Sequence, residues 1–519
     1  MAETTPSRYQ RSRDERSRDE RRQLVGLLLG LALFASFFLF SPPAGMNEKA
    51  WSMAAATALM AIWWVSEAVH PSVTALVPLA LFPLLSILTP QEVSGAYADH
   101  ILFLFLGGFI IALAIEHCHL HHRIALQVLH RVGTSPHSLT LGIMGTTAAI
   151  SMWVSNVATT LIMLPIALAV LDHAQSQGYD TKKGFGTALM LMVAYGASIG
   201  GIGTPVGTPP NVIFLGAFTK LFPEAPPISF LQWMLFGVPT AIILTLVVWT
   251  YLSYVAFPYS TIGWKANKEF IRERLHALGP MSTTEKKVAL LGATTALLWI
   301  FREDLPLGAI TIPGWSHLLP PTVKIQDSTV AMFMALLLFF IPADRKAGTF
   351  LMDWETAERL PWGVLILLGG GLALAAGVEK TGLASWLGSQ LSLIGSFPSL
   401  GVILAVTLLT AWVTEFASNT ATATLMMPVL AATATAMQMD PLLLMIPATF
   451  AASVCNFMLP SATGPNAIVF ASGHVTVPQM VRAGIVLDMF CAILLTGLLY
   501  VLGVMAFGIS LGGLPSWAQ

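Results

Sequence analysis

Charge is scarce in this 519-residue chain: Asp, Glu, Lys and Arg make up 10% of it, hydrophobic residues 55%, and the mean hydropathy is +0.73. A soluble domain carries about a quarter charged residues, so a fold surrounded by water is excluded and a polytopic membrane protein is expected. Cysteine is also sparse. Cys118, Cys455 and Cys491 lie far apart without a CxxC pair, which speaks against a disulfide framework or a cysteine zinc site. They read as buried or membrane-facing thiols, because free cysteine packs as a small hydrophobe. No HExxH helix and no P-loop occurs. The net charge of −1 carries no information about nucleic acid, since charges in such a chain are sorted by side of the membrane. No nucleic-acid partner is expected.

What is present begins with a hydrophilic head. Residues 1–22 hold Arg8, Arg11, Arg13, Arg16, Arg18, Arg21 and Arg22 interleaved with Asp14, Glu15, Asp19 and Glu20, and read as a flexible or frayed-helical cytoplasmic tail. Arginines just before a span are retained inside. The run Leu24–Phe40 lacks a small-residue cleavage site, so it is a first membrane helix rather than a signal peptide. Apolar stretches of spanning length follow, giving crossings near 24–41, 50–68, 72–89, 101–117, 186–222, 230–256, 287–302, 327–343, 361–379, 441–473 and 483–508. Two further apolar segments, 138–172 and 399–437, carry polar residues at their middle and read as re-entrant hairpins. The fold class expected is all-α, polytopic, with eleven transmembrane helices and two hairpins. The basic connection with Lys265, Lys268, Arg272, Arg274, Lys286 and Lys287, together with Arg345, Lys346 and Arg482, then falls on the cytoplasmic side. The Glu303–Gln326 loop, with Lys324 alone, falls outside. The N-terminus is cytoplasmic and the C-terminus external.

The polar breaks come in matched pairs. SNVATTLIMLP (Ser155 to Pro165) recurs as SNTATATLMMP (Ser418 to Pro428), 263 residues later. Gly107, Gly108, Glu116 and Leu120 match Gly370, Gly371, Glu379 and Leu383 at the same offset. Each hairpin is followed by a Gly/Pro break, GGIGTPVGTPPN (Gly200 to Asn211) and NFMLPSATGPN (Asn456 to Asn466), in which Gly207, Thr208, Pro210 and Asn211 match Ala462, Thr463, Pro465 and Asn466. Backbone without helical hydrogen bonds is tolerated at membrane depth only where it lines a protein-enclosed cavity. Copies that start on opposite sides make an inverted repeat, the pattern of secondary transporters. The units are a tail 1–22, a first repeat 23–256 with hairpin 138–172 and broken helix 186–222, and a cytoplasmic linker 257–287. A second repeat 288–508, with hairpin 399–437 and broken helix 441–473, precedes an external C-terminus 509–519.

With these motifs together, SNVATTLIMLP, SNTATATLMMP, VGTPPN and SATGPNAIVF, the chain resembles the divalent anion/sodium symporter family of dicarboxylate transporters over nearly its whole length. The resemblance implies a homodimer in the plasma membrane (the inner membrane in a bacterium) and a transport domain moving against a scaffold in an elevator cycle. It places a first sodium site on Ser151, Ser155, Asn156 and Gly207, and a second on Thr414, Ala417, Asn419 and Ala462. Substrate-binding positions fall on Asn156, Val157 and Thr208 in one half and on Asn419, Thr420 and Thr463 in the other. Two residues depart from the pattern: Val157 stands where threonine is usual, and Gly464 where a second proline is common.

The charge pattern agrees with cation coupling. Lysine and arginine are missing from Pro136 to Tyr179, from Thr187 to Thr219 and from Leu383 to Met480, so an anion at the tips meets no side-chain counter-charge. Sodium held by asparagine, hydroxyl and freed carbonyl oxygens, with helix N-termini facing the carboxylates, would supply it. The function expected is sodium-coupled uptake of small dicarboxylates such as succinate, malate and fumarate, with no enzymatic activity. Sodium-independent exchange, and citrate or sulfate as substrate, stay open. So does the role of Glu415, beside the second motif: structural hydrogen bonding, or proton coupling. Thr422, Thr424, Thr433 and Thr435 read as packing, like Met163, Met426 and Met427. His117, His119, His121 and His122 read as wetted side chains on an amphipathic connector. The rival reading, a polytopic metal hydrolase, would use them with Cys118 and Glu116.

Overall fold

Apolar runs of helical length, many of them entered through a Ser, Thr, Asn or Asp cap and often with a proline in the first turn, build a mostly helical molecule. The computed structural model describes residues 8–518 apart from 132, 134, 182–183, 260–267, 308–309, 321, 345–347 and 392–397. Lys265, Arg345 and Lys346, assigned above to the inner side, lie outside the described residues.

The first half opens with α1 (Arg8–Phe37) and α2 (Glu48–Ser66), which pack on each other. In the arginine-rich segment the helical alternative holds: residues from Arg8 onward continue into the apolar run as one helix, which ends four residues earlier than expected. The crossing expected at 72–89 is two short helices, α3 (Pro71–Thr74) and α4 (Val77–Leu84). Pro78 and Pro83 remove amide donors there. α5 (Pro90–Ala96) leads to α6 (His100–His117), and an elbow joins it to α7 (Leu120–Arg131). The helix pair α8 (Pro136–Ser151) and α9 (Asn156–Ser176) is followed by α10 (Phe185–Gly201), α11 (Pro209–Leu221) and α12 (Phe230–Tyr251), the last extended by a π-helical turn to Ala256.

Helices α13 (Lys268–Ala277) and α14 (Thr283–Ile300) lead into the second half. There α15 (Asp327–Phe340), α16 (Trp354–Ala357), α17 (Trp362–Lys380) and α18 (Leu383–Leu391) precede the second pair, α19 (Ser399–Phe416) and α20 (Asn419–Ala436). Then come α21 (Leu442–Val454), α22 (Gly464–Ala471), α23 (Val477–Leu498) and α24 (Val504–Phe507). The chain is not wholly α: two small antiparallel ribbons, β1 (Leu305–Leu307) with β2 (Ile310–Ile312) and β3 (Pro342–Asp344) with β4 (Thr349–Phe350), form in connections between helices. Among the described residues six helical stretches are long and apolar enough to cross a membrane: 90–117, 156–176, 230–256, 362–380, 399–416 and 477–507.

Glycine sets the closest helix approaches. A Cβ on Gly107 would strike the Ala331 backbone, and one on Gly370 the Ala75 backbone, so α6 lies directly on α15 and α17 on the segment after α3. These are the glycines that recur at the 263-residue offset.

Two groups of contacts mark the ends of the bundle. His137 stacks between Tyr254 and Tyr259, and Thr187 Oγ1 donates to the His474 carbonyl. At the other group, Ser510 N–H donates to Asp440 Oδ2, and Trp517 packs edge-on against Phe218 and Phe222. The helix 230–256 ends beside the first group, and near its start Trp233 and Phe236 pack on Phe507, three residues before Ser510 of the second; at 1.5 Å per residue it is about 40 Å long. The open ends of the two helix pairs are thus a helix length apart.

Candidate functional site

Each helix pair turns in a few residues, because a serine caps the returning helix. Ser155 Oγ accepts the Ala158 N–H at 3.3 Å and Ser418 Oγ the Ala421 N–H at 3.2 Å. Capping fixes the asparagine that follows as the first helical residue. Asn156 and Asn419 then face back across their own turns. Ser151 Oγ lies 2.8 Å from Asn156 Oδ1 and 2.7 Å from the Ala197 carbonyl. Thr414 Oγ1 lies 2.9 Å from Asn419 Oδ1 and 3.0 Å from the Ala452 carbonyl. The two arrangements are equivalent. A hydroxyl has one proton for two acceptors, so each cluster keeps surplus oxygen lone pairs. Three hard oxygens converging near helix ends are chemically suited to a hard monovalent cation.

The breaks are braced by a second asparagine pair. Asn211 Nδ2 donates to the carbonyls of Gly201 (3.0 Å) and Thr204 (2.8 Å), and Asn466 Nδ2 to those of Asn456 (2.7 Å) and Leu459 (3.0 Å). Both asparagines are fully buried, and their Oδ1 atoms find no hydrogen-bond partner among the described residues. An orphaned buried acceptor is costly unless it faces a cation or a donor.

Tip and break meet in the first half. A Cβ on Gly201 would lie 2.8 Å from Asn156 Oδ1 and 3.1 Å from Thr208 Cβ, and one on Gly207 would strike the Gly201 carbonyl. Asn156, Thr208 and Gly207 therefore share one small space. In the second half Thr463 Oγ1 caps α22 through the Asn466 N–H, Ala462 N–H donates to the Leu459 carbonyl, and Ala417 is extended between α19 and the capping serine. The halves also interlock: α22 packs on α9, and α11 packs on α20. Val157 lies at that crossing, 43% exposed, against Gly464. Four helices, α9, α11, α20 and α22, begin at the two tips and two breaks, so each presents its positive end there.

Glu415 is 1% exposed, and its carboxyl oxygens accept the N–H groups of Met458 (2.7 Å) and Leu459 (3.1 Å). It caps the second break. Met152, at its repeat position, has no carboxyl to accept such bonds, and the first break is braced differently: Gly203 N–H donates to the Gly200 carbonyl, while Thr204 Oγ1 donates to the Met152 carbonyl and Trp233 Nε1 to the Ile202 carbonyl. Asp488, which sequence reasoning passed over, accepts the Phe457 N–H from α23. An acid inside an apolar span was the signal for it. The Ala197 and Ala452 carbonyls gave no signal, since backbone oxygens are invisible in sequence. Gly196–Gly200 has the GxSxG spacing, but Ser198 is buried inside α10 rather than set on a strand-to-helix turn.

The histidine cluster is not uniformly wet. His119 is exposed and His122 half-buried, but His121 is 2% exposed, with Nδ1 donating to the Ile115 carbonyl at 3.0 Å. Burial holds its imidazole down at about 4, against that carbonyl, which favours the charged form.

Residues 21–509 match the family model described as the sodium:sulfate symporter transmembrane region. The sodium-dependent dicarboxylate transporter SdcS of Staphylococcus saprophyticus is 42% identical over 486 residues, 92% of this chain and 91% of that protein. SdcS of Staphylococcus aureus strain NCTC 8325 is 41% identical over 495 residues, 94% and 93%. Two solved structures share the fold at low identity. The YdaH transporter of Alcanivorax borkumensis has a TM-score of 0.54 at 14% identity, covering 80% of this chain and 88% of that one. MtrF of Neisseria gonorrhoeae has 0.58 at 15%, covering 96% and 97%.

Proposed function

The chain belongs to the sodium:sulfate symporter family, the divalent anion/sodium symporters, and from that premise we propose that it is a multi-pass membrane transporter coupling sodium to the uptake of small dicarboxylates. The observation that carries the reading is the duplicated clamp: Ser151 with Asn156 and the Ala197 carbonyl, and Thr414 with Asn419 and the Ala452 carbonyl. Two relatives above 40% identity are named as sodium-dependent dicarboxylate transporters.

In this reading sodium 1 is held by Ser151, Ser155, Asn156 and Gly207, and sodium 2 by Thr414, Ala417, Asn419 and Ala462. Substrate carboxylates meet Asn156, Val157 and Thr208 on one side and Asn419, Thr420 and Thr463 on the other. Without lysine or arginine on these segments, bound sodium and the four helix N-termini supply the positive charge. Sodium therefore raises substrate affinity, and substrate raises sodium affinity by the same factor. The helix pairs act as re-entrant hairpins entering from opposite sides, a reading supported by the separation of their open ends. With eleven crossings the N-terminus is cytoplasmic and the C-terminus external. The site is carried by a transport domain that moves against a scaffold in an elevator cycle, within a homodimer. No catalysis is proposed.

Uptake of labelled succinate into proteoliposomes, with an inward sodium gradient, tests the reading. Accumulation that needs sodium, and is competed by malate and fumarate, is expected. Equal uptake in choline would overturn the coupling. Competition by sulfate or citrate instead of dicarboxylates would overturn the substrate class.

A further inference from the structure

We propose that the elbow between α6 and α7 is a binding site for a divalent transition-metal cation of the Zn2+ class, held by His119, His121 and His122. Two independent observations carry it. The first is convergence: one ring nitrogen from each of the three histidines lies within 4.8 Å of the others, and the His121 and His122 rings are 4.4 Å apart. A carbonyl can only accept, so His121 Nδ1 carries its proton toward Ile115 and leaves the Nε2 lone pair free. A ligand histidine fixed through its other ring nitrogen by a backbone carbonyl is the usual outer-shell arrangement of metal sites.

The second observation comes from the repeat. His119 has a φ of 58°, in the left-handed region, and the residue 263 positions on is Gly382, with a φ of 77°. The local hydrogen bonds are the same in both copies. His119 N–H donates to the Glu116 carbonyl at 3.0 Å, and Gly382 N–H to the Glu379 carbonyl at 3.1 Å. The fold thus asks only for a left-handed residue after each helix. The second copy meets it with glycine, which carries no penalty there, and the first with a strained side chain. Strain held at one copy of a duplicated turn points to a use for that side chain.

Neutral imidazoles suit zinc, copper and nickel rather than magnesium or calcium. Three histidines leave a fourth position for water. His119 is exposed and His122 half-buried, so neither ring is enclosed by packing as His121 is.

The test uses full-length protein purified without a polyhistidine tag, titrated with ZnCl2 by calorimetry in detergent. The wild type should bind one equivalent. His119→Gly removes a ligand and supplies the residue of the second copy, so it should fold, melt at or above the metal-free wild type, and bind more than about tenfold more weakly, since outer-shell changes alone cost about 10–100-fold. His122→Ala should lose affinity similarly, and Cys118→Ala should keep it. Absence of stoichiometric binding in the wild type, unchanged affinity in His119→Gly, or loss in Cys118→Ala alone would overturn the site.

Discussion

Val157 and Gly464, the two residues that depart from the family motifs, touch: a Cβ on Gly464 would lie 2.5 Å from Val157 Cγ2. One belongs to the first helix-pair tip and the other to the second break, so the contact joins the halves of the repeat. Real Cβ contacts do not come that close, so Gly464 leaves the room that Val157 occupies.

Gly464→Ala should therefore cost about 1–3 kcal/mol through overpacking. Adding Val157→Ala should recover most of it, a coupling that independent sites would not give. Thermal unfolding of the two single variants and the double variant measures it; additive losses would refute the contact.

Val157→Thr keeps the shape and adds a hydroxyl beside the proposed substrate space. One new hydrogen bond is worth about 0.5–1.5 kcal/mol, so half-saturation for succinate should fall severalfold while its sodium dependence stays. Concentration series of uptake at saturating sodium decide this.

Ser151→Ala and Thr414→Ala each remove one of three converging oxygens. A loss near 1 kcal/mol corresponds to about fivefold, so half-saturation for sodium should rise several times in each. Asn156→Ala and Asn419→Ala, which remove the oxygen shared by tip and clamp, should abolish uptake. Wild-type sodium dependence in all four would remove the clamps from the mechanism.

Glu415→Gln turns an amide N–H toward one of the two backbone donors that the carboxyl now accepts. An unmade buried hydrogen bond costs about 1–3 kcal/mol, so the melting temperature should drop. The pH profile of uptake should be unchanged; a flattened profile would instead make Glu415 a coupled proton carrier.

Arg123 and Glu285 form a buried pair, Nε to Oε1 at 2.8 Å, that ties α7 to the start of α14. Arg123→Ala leaves the Glu285 carboxylate with the Ser282 N–H but without its counter-charge, and should cost about 1–3 kcal/mol. Arg123→Met with Glu285→Leu should restore much of that in the same melting assay.

The repeat was legible in the sequence because it is written in residue types that apolar helices rarely contain: serine, asparagine, glycine and proline at one spacing. Those residues fixed where helices turn and break, since serine caps, proline lacks a donor and glycine admits close approach. Capped tips at Ser155 and Ser418, and breaks near 202–208 and 455–463, follow from them. Helix ends were less legible. The continuation of α1 back to Arg8 and the splitting of the 72–89 stretch depend on local pairing and on prolines inside an otherwise apolar run.

Composition and spacing by themselves determined a membrane protein with a duplicated polar site. Only the tertiary structure decided which atoms meet there. The carbonyls of Ala197 and Ala452 complete the clamps, Glu415 caps the break rather than facing the clamp, and Val157 reaches Gly464 in the opposite half. Backbone oxygens have no sequence signature, and contacts between residues some 300 positions apart exist only once the helices have crossed.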